Sequence, residues 1–188
     1  AHGRIRAIDT SHASTMPGVL AILTGADALA DGLQPIPHNP DWKGPPDAEL
    51  RLPEGFDVYL TENAALPHET VRYVGEAVAF VVAESAAQAA DAAEQVIVDY
   101  ELLPAIIDAR EAMGEGATQL WTDCERNVAL TCEVGDAQAT AVAFERATHI
   151  VQFKCHVHRV NGTPMEPRAV MGEYDETTGR YTLRAASG

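Results

Sequence analysis

Two patterns in the sequence predict an α+β fold. A strand-like run, an abruptly started alanine-rich helix and a second strand-like run follow one another between Val71 and Glu101. After residue 127 one helical stretch is followed by several extended ones, the pattern of a β-rich segment. A chain of 188 residues is one ordinary domain and a fraction of another, enough to bury most of a hydrophobic core without disulfide staples.

The elements follow in order. Ile5 to Ile8 is a short extended stretch, and Pro17-Gly18 marks a turn. Val19 to Leu23 is too short and too continuously apolar for an amphipathic helix, which predicts a strand buried on both faces. Thr24 and Asp27 offer capping oxygens for a helical turn around Ala26 to Leu29. Pro35, Pro37, Pro40, Pro45, Pro46 and Pro53 then forbid a central strand or regular helix and predict a long surface excursion.

Val71 to Ala83 reads as one strand with Gly75 at a bulge or close backbone approach. Ser85 and Gln88 have capping-box spacing at the head of a helix running to Gln95, and Val96 to Glu101 is the returning strand of a β-α-β segment. Residues 112–127 have little periodicity and read as a linker. A second helix is expected from Asp136 to about Ala147, then a long strand from Thr148 to Val160 and a tight turn at Asn161-Gly162. Arg168 to Tyr174 and Arg180 to Ala185 read as two more strands joined by the turn Asp175 to Gly179. The second region is expected to be the opening of a β-rich domain that breaks off within a sheet.

Composition narrows the function. At 46% hydrophobic and 22% charged the chain is globular, and with 6% aromatic residues alanines and aliphatics must make the core. Thirteen basic against 28 acidic residues give a formal charge of −15, which argues against nucleic-acid backbones and anionic membrane surfaces as partners. No apolar run approaches the roughly 20 residues of a membrane span. Cys124, Cys132 and Cys155 form no disulfide framework and point to a reducing compartment, with Cys124 and Cys132 expected to be small core residues.

Cys155, His156 and His158, with His149 nearby, are the densest group of potential metal ligands, but no second half with paired spacing accompanies them. A structural reading of a strand face is preferred, and no metal site is assigned. Asn161-Gly162-Thr163 has the form of a glycosylation site yet reads as a turn. Phosphate-binding glycine loops and the Gly-x-Ser-x-Gly elbow are absent. Glu76, inside VGEAVAFVV, and Glu166, between Met165 and Pro167, are carboxylates in apolar surroundings. Each is either a site with a raised pKa or is satisfied structurally, Glu76 by backbone amides and Glu166 by Arg168 or a turn.

Read together, MPGVLAILTGAD, the proline-rich excursion and VRYVGEAVAFVVAESAAQAADAAEQVIVDYELLPAIIDAREAM resemble the α/β hammerhead domain of the xanthine dehydrogenase, aldehyde oxidase and carbon monoxide dehydrogenase family. The segment from VGDAQATAVAFERATHIV through TPMEPRAVMGEYDETTGRYTLRAASG is similar to the start of the molybdenum-cofactor domain of its large subunit. The resemblance implies a hammerhead domain over 1–111 lacking its first strand, a linker over 112–127 and the N-terminal part of the cofactor domain over 128–188. Gly75, Glu76, Met165, Pro167 and Arg168 carry its motifs.

The implied enzyme is an oxidoreductase that hydroxylates an aldehyde, N-heterocycle or similar carbon centre with oxygen from water, or oxidises carbon monoxide. The implied cofactor is a molybdenum-pterin in its cytosine dinucleotide form. Iron–sulfur clusters would sit on a small subunit and FAD on a medium subunit, or a haem protein would accept the electrons. The implied location is the cytoplasm, with the periplasm as the alternative. The family's catalytic glutamate lies beyond the match, so neither Glu76 nor Glu166 takes that role and no catalytic residue is assigned. Glu166, Ser187 and Gly188 are the candidate cofactor contacts. Where many relatives carry Ser-Gln or Thr-Gln after the Tyr-Thr-Leu strand, this chain has Ala186-Ser187-Gly188, so a glutamine contact does not carry over. This piece is expected to be structural and inactive alone. The competing expectation is a non-enzymatic acidic α+β interaction module with the hammerhead shape.

Overall fold

The computed structural model describes residues 2–36, 51–55, 58–158, 160, 162, 163, 165, 166 and 169–185. Most of the proline-rich excursion and Asn161 of the expected Asn161-Gly162 turn therefore lie outside the described residues. The chain divides into two compact units, Ala1–Ala137 and Gln138–Gly188.

The first unit is built on two antiparallel sheets. One has the order β3-β1-β5, with β1 (Gly3–Asp9) between β3 (Thr70–Val71) and β5 (Ile97–Leu102). The register Arg4↔Glu101 sets two basic residues of β1 beside one acid, Arg4 at 3.2 Å and Arg6 at 3.7 Å from the Glu101 carboxylate. These pairs are exposed and hold register more than they add stability. The other sheet pairs β2 (Val19–Thr24) with β4 (Ala79–Ala83), from Thr24↔Ala79 to Val19↔Ala83 with a register shift at Leu20. Leu20 is well exposed, so β2 is not buried on both faces as its continuous apolar run suggests. The bulge turns this residue out of the pleat.

Local signals form the helices. Thr24 begins α1 (Gly25–Ala30) with a reciprocal capping box, in which the Asp27 carboxylate accepts from both the Thr24 N–H and its hydroxyl at 2.7 Å. Ser85 Oγ accepts from the Gln88 N–H at the head of α2 (Ala86–Ala93), which packs on β4. Close approach needs small side chains, and among the described residues Ala13 and Ala92 are fully buried while no large side chain is. Removing the α2 cap is expected to cost about 1 kcal/mol, measured as the loss in chemical-denaturation stability of Ser85→Ala. Ser85→Asp should retain nearly all of it.

Two expectations are corrected. Val71 to Ala83 is not one strand: it breaks after β3 into a turn at Tyr73–Gly75, where Gly75 has φ +92°, and resumes as β4. The left-handed backbone at Gly75 ends the ladder, a conformation glycine adopts without steric cost. Nor do β4, α2 and β5 form a β-α-β unit within one sheet, because β4 pairs with β2 and β5 pairs with β1.

Residues 112–127, expected to be a linker, form a loop held by its own hydrogen bonds. Asn127 Oδ1 accepts from the Leu120 N–H at 2.8 Å, and its Nδ2 donates to Ala112 O and Thr118 O at 2.9 and 3.0 Å. The chain from 129 to 135 then straps across the unit. Tyr59 N–H donates to Ala129 O, Arg51 and Glu133 exchange backbone bonds, and the Arg51 guanidinium donates to Gly135 O.

The second unit contains nearly all of α3 (Ala137–Arg146) and the hairpin of β6 (Val170–Asp175) and β7 (Arg180–Ala185). The four-residue loop between them is ordered by Asp175, whose carboxylate accepts from the Thr177 and Thr178 N–H groups and the Thr178 hydroxyl. Gly179 closes it at φ +66°. The expected strand from Thr148 to Val160 is not present among the described residues, which pair with no neighbouring strand there. β-branched composition alone does not make a strand without a ladder partner.

The same turn carboxylates set a pH dependence. Hydrogen bonds from Ser11, Thr24, Arg110 and Thr178 hold Asp9, Asp27, Asp108 and Asp175 below the usual carboxylate range. A depressed folded pKa gives stability that is present above the unfolded value of roughly 3.9 and lost as pH falls through the lower folded values. Denaturation midpoints should stay level down to about pH 5 and fall below about pH 4. A midpoint that rises on acidification would contradict this origin.

Candidate functional site

The turn after β3 gathers the side chains with the most organised environment. Glu76 folds back so that its carboxylate accepts the Arg72 N–H at 2.6 Å, fixing the Tyr73–Gly75 turn from inside. Arg72 in turn donates from Nε to Leu120 O at 2.9 Å and lies over the Trp121 ring, 4.8 Å from its centroid. A guanidinium on an indole face gains both dispersion and charge–quadrupole attraction. Tyr59 completes the cluster, its ring 6.5 Å from Trp121 and its hydroxyl donating to Asp123 at 2.7 Å. Burial, then the neighbouring Asp123, pushes the Tyr59 hydroxyl up to about 12. Trp121 Nε1 is buried and has no hydrogen-bond partner among the described residues.

Beside this cluster is a cavity of about 400 Å³ whose wall includes Gly25, Glu62, His68, Arg72, Glu76 and Trp121. Carboxylates, one guanidinium, the His68 imidazole, the Thr70 hydroxyl and an indole can bind or pack against a polar group. Glu76 serves the backbone of its own turn. Gly75 has open space where a side chain would stand and is required for its positive φ alone.

The other sequence-derived candidates are dispersed. Met165 and Glu166 are exposed in the second unit, while Pro167, Arg168, Ser187 and Gly188 lie outside the described residues. Cys155, His156 and His158 are exposed, with the two imidazole centroids 4.6 Å apart. Among the described residues no group of three or more His, Cys, Asp or Glu side chains is placed to hold a metal ion. Cys132 is exposed, not a core residue as expected; Cys124 is buried as expected, and burial raises its thiol pKa.

Sequence reasoning missed the Arg72–Trp121 stack and the Asn127 hub. The stack joins segments far apart in the chain, with an isolated tryptophan in an aperiodic stretch as its one visible trace, and the hub closes an aperiodic loop that carries no periodic signal.

Comparison with known proteins gives this geometry its context. Residues 51–104 match the model of the aldehyde oxidase and xanthine dehydrogenase a/b hammerhead domain, and residues 121–187 match that of the molybdopterin cofactor-binding domain. The chain belongs to the aldehyde oxidase and xanthine dehydrogenase family. The carbon monoxide dehydrogenase large chain of Afipia carboxidovorans is 34% identical over 195 residues, spanning 97% of this chain and 22% of that one. The nicotine 6-hydroxylase large subunit of Paenarthrobacter nicotinovorans is 34% identical over 189 residues, spanning 97% of this chain and 20% of that one. Quinoline 2-oxidoreductase from Pseudomonas putida 86 superposes with a TM-score of 0.78 at 32% identity, covering 99% of this chain and 22% of that one. This family member thus spans about a fifth of the length of these relatives.

The two family matches and the two compact units do not share a boundary. Residues 121–137 begin the cofactor-domain match, yet they fold onto the hammerhead unit through Trp121, Cys124 and the strap from Ala129 to Gly135. In the second unit β6 is exposed along its whole length and β7 everywhere except Thr182. The described residues there enclose no cradle and do not by themselves fit a pterin.

Proposed function

We propose that this chain is the hammerhead domain and the opening of the cofactor domain of the large subunit of a molybdenum hydroxylase, structural in role and inactive alone. The observation that carries the reading is the succession of the two family matches, hammerhead over 51–104 and cofactor domain over 121–187, within a chain aligned nearly end to end with large subunits. In this reading the backbone of Arg51 and Tyr59 and the Arg51 guanidinium hold the 129–135 strap in place.

The complete enzyme would carry a molybdenum-pterin, which supplies oxidation of a carbon centre with oxygen from water. The reading extends to the cytosine dinucleotide form of that pterin, to an iron–sulfur small subunit, to an FAD-binding medium subunit or a haem protein, and to a cytoplasmic site of action. The naming of both relatives as the large member of an assembly supports a multi-subunit complex. No helix among the described residues is long and apolar enough to cross a membrane.

The test is metal and pterin analysis of the native assembly that contains this sequence. Molybdenum and pterin in equal amounts are expected, with nucleotide released on acid hydrolysis. An assembly holding neither would overturn the reading.

A further inference from the structure

We draw no further inference here: the strongest candidate, the cavity of about 400 Å³ beside Arg72, Glu76 and Trp121 in the first unit, carries nothing because the orphaned donor on its wall, Trp121 Nε1, is sealed from solvent and so does not point into it, and nothing in the structure shows what covers the opening.

Discussion

Gly25→Ala is expected to destabilise the first unit by about 3 kcal/mol, the upper end of what overpacking costs. A Cβ at Gly25 would stand 2.6 Å from Pro67 C and 2.7 Å from His68 N, and closer still to Pro67 O. All three are backbone atoms, so no side chain can rotate away. Either α1 must lift from its cap at Thr24 or the chain at 67–68 must retreat, and both elements border the same cavity. Gly32→Ala provides the control. Gly32 has φ +74° with open space around it, so its substitution costs only the left-handed backbone penalty of about 1 kcal/mol. Denaturant titration of the two variants separates crowding from conformational strain. Equal losses in both would show that the Gly25–Pro67 approach relaxes freely.

This contact also shows what the sequence made legible. Thr24 with Asp27, Ser85 with Gln88 and Asp175 before Gly179 place both partners within four residues, so helix starts and the β6–β7 turn can be read directly. Partners distant in sequence leave no such trace. The Glu76 carboxylate accepting the Arg72 N–H is one of the two readings its position in that run allowed, whereas nothing near Val71–Ala83 announces that β4 will pair with β2 while β5 pairs with β1. The Thr148–Val160 stretch has strand composition but lacks a ladder partner among the described residues. The family motifs were legible because their residue order survives over most of the chain. The Arg72–Trp121 stack was not, since its two halves come from segments 48 residues apart at the Leu120 bond.

Asn127→Ala is expected to cost about 4 kcal/mol, and Asn127→Gly about 3 kcal/mol. Asn127 has φ +55° and follows Arg126 at φ +54°, so two successive non-glycine residues hold left-handed backbone. What keeps them there is the Asn127 amide, which satisfies one N–H and two carbonyls of the loop it closes. Glycine relieves the backbone penalty but loses all three bonds; alanine loses the bonds and retains the penalty, so the variants should differ by about 1 kcal/mol. Aspartate would keep the bond from Leu120 while setting a carboxylate against Ala112 O and Thr118 O, so it should not rescue the loop. Because Leu120 O and the Trp121 ring are what Arg72 engages, loosening the loop should also shift Trp121 fluorescence before global unfolding. A glycine variant as stable as the parent would show that the amide follows the loop instead of holding it. If the amide does hold it, the first residues of the cofactor-domain match depend for their position on one side chain at the end of the hammerhead unit.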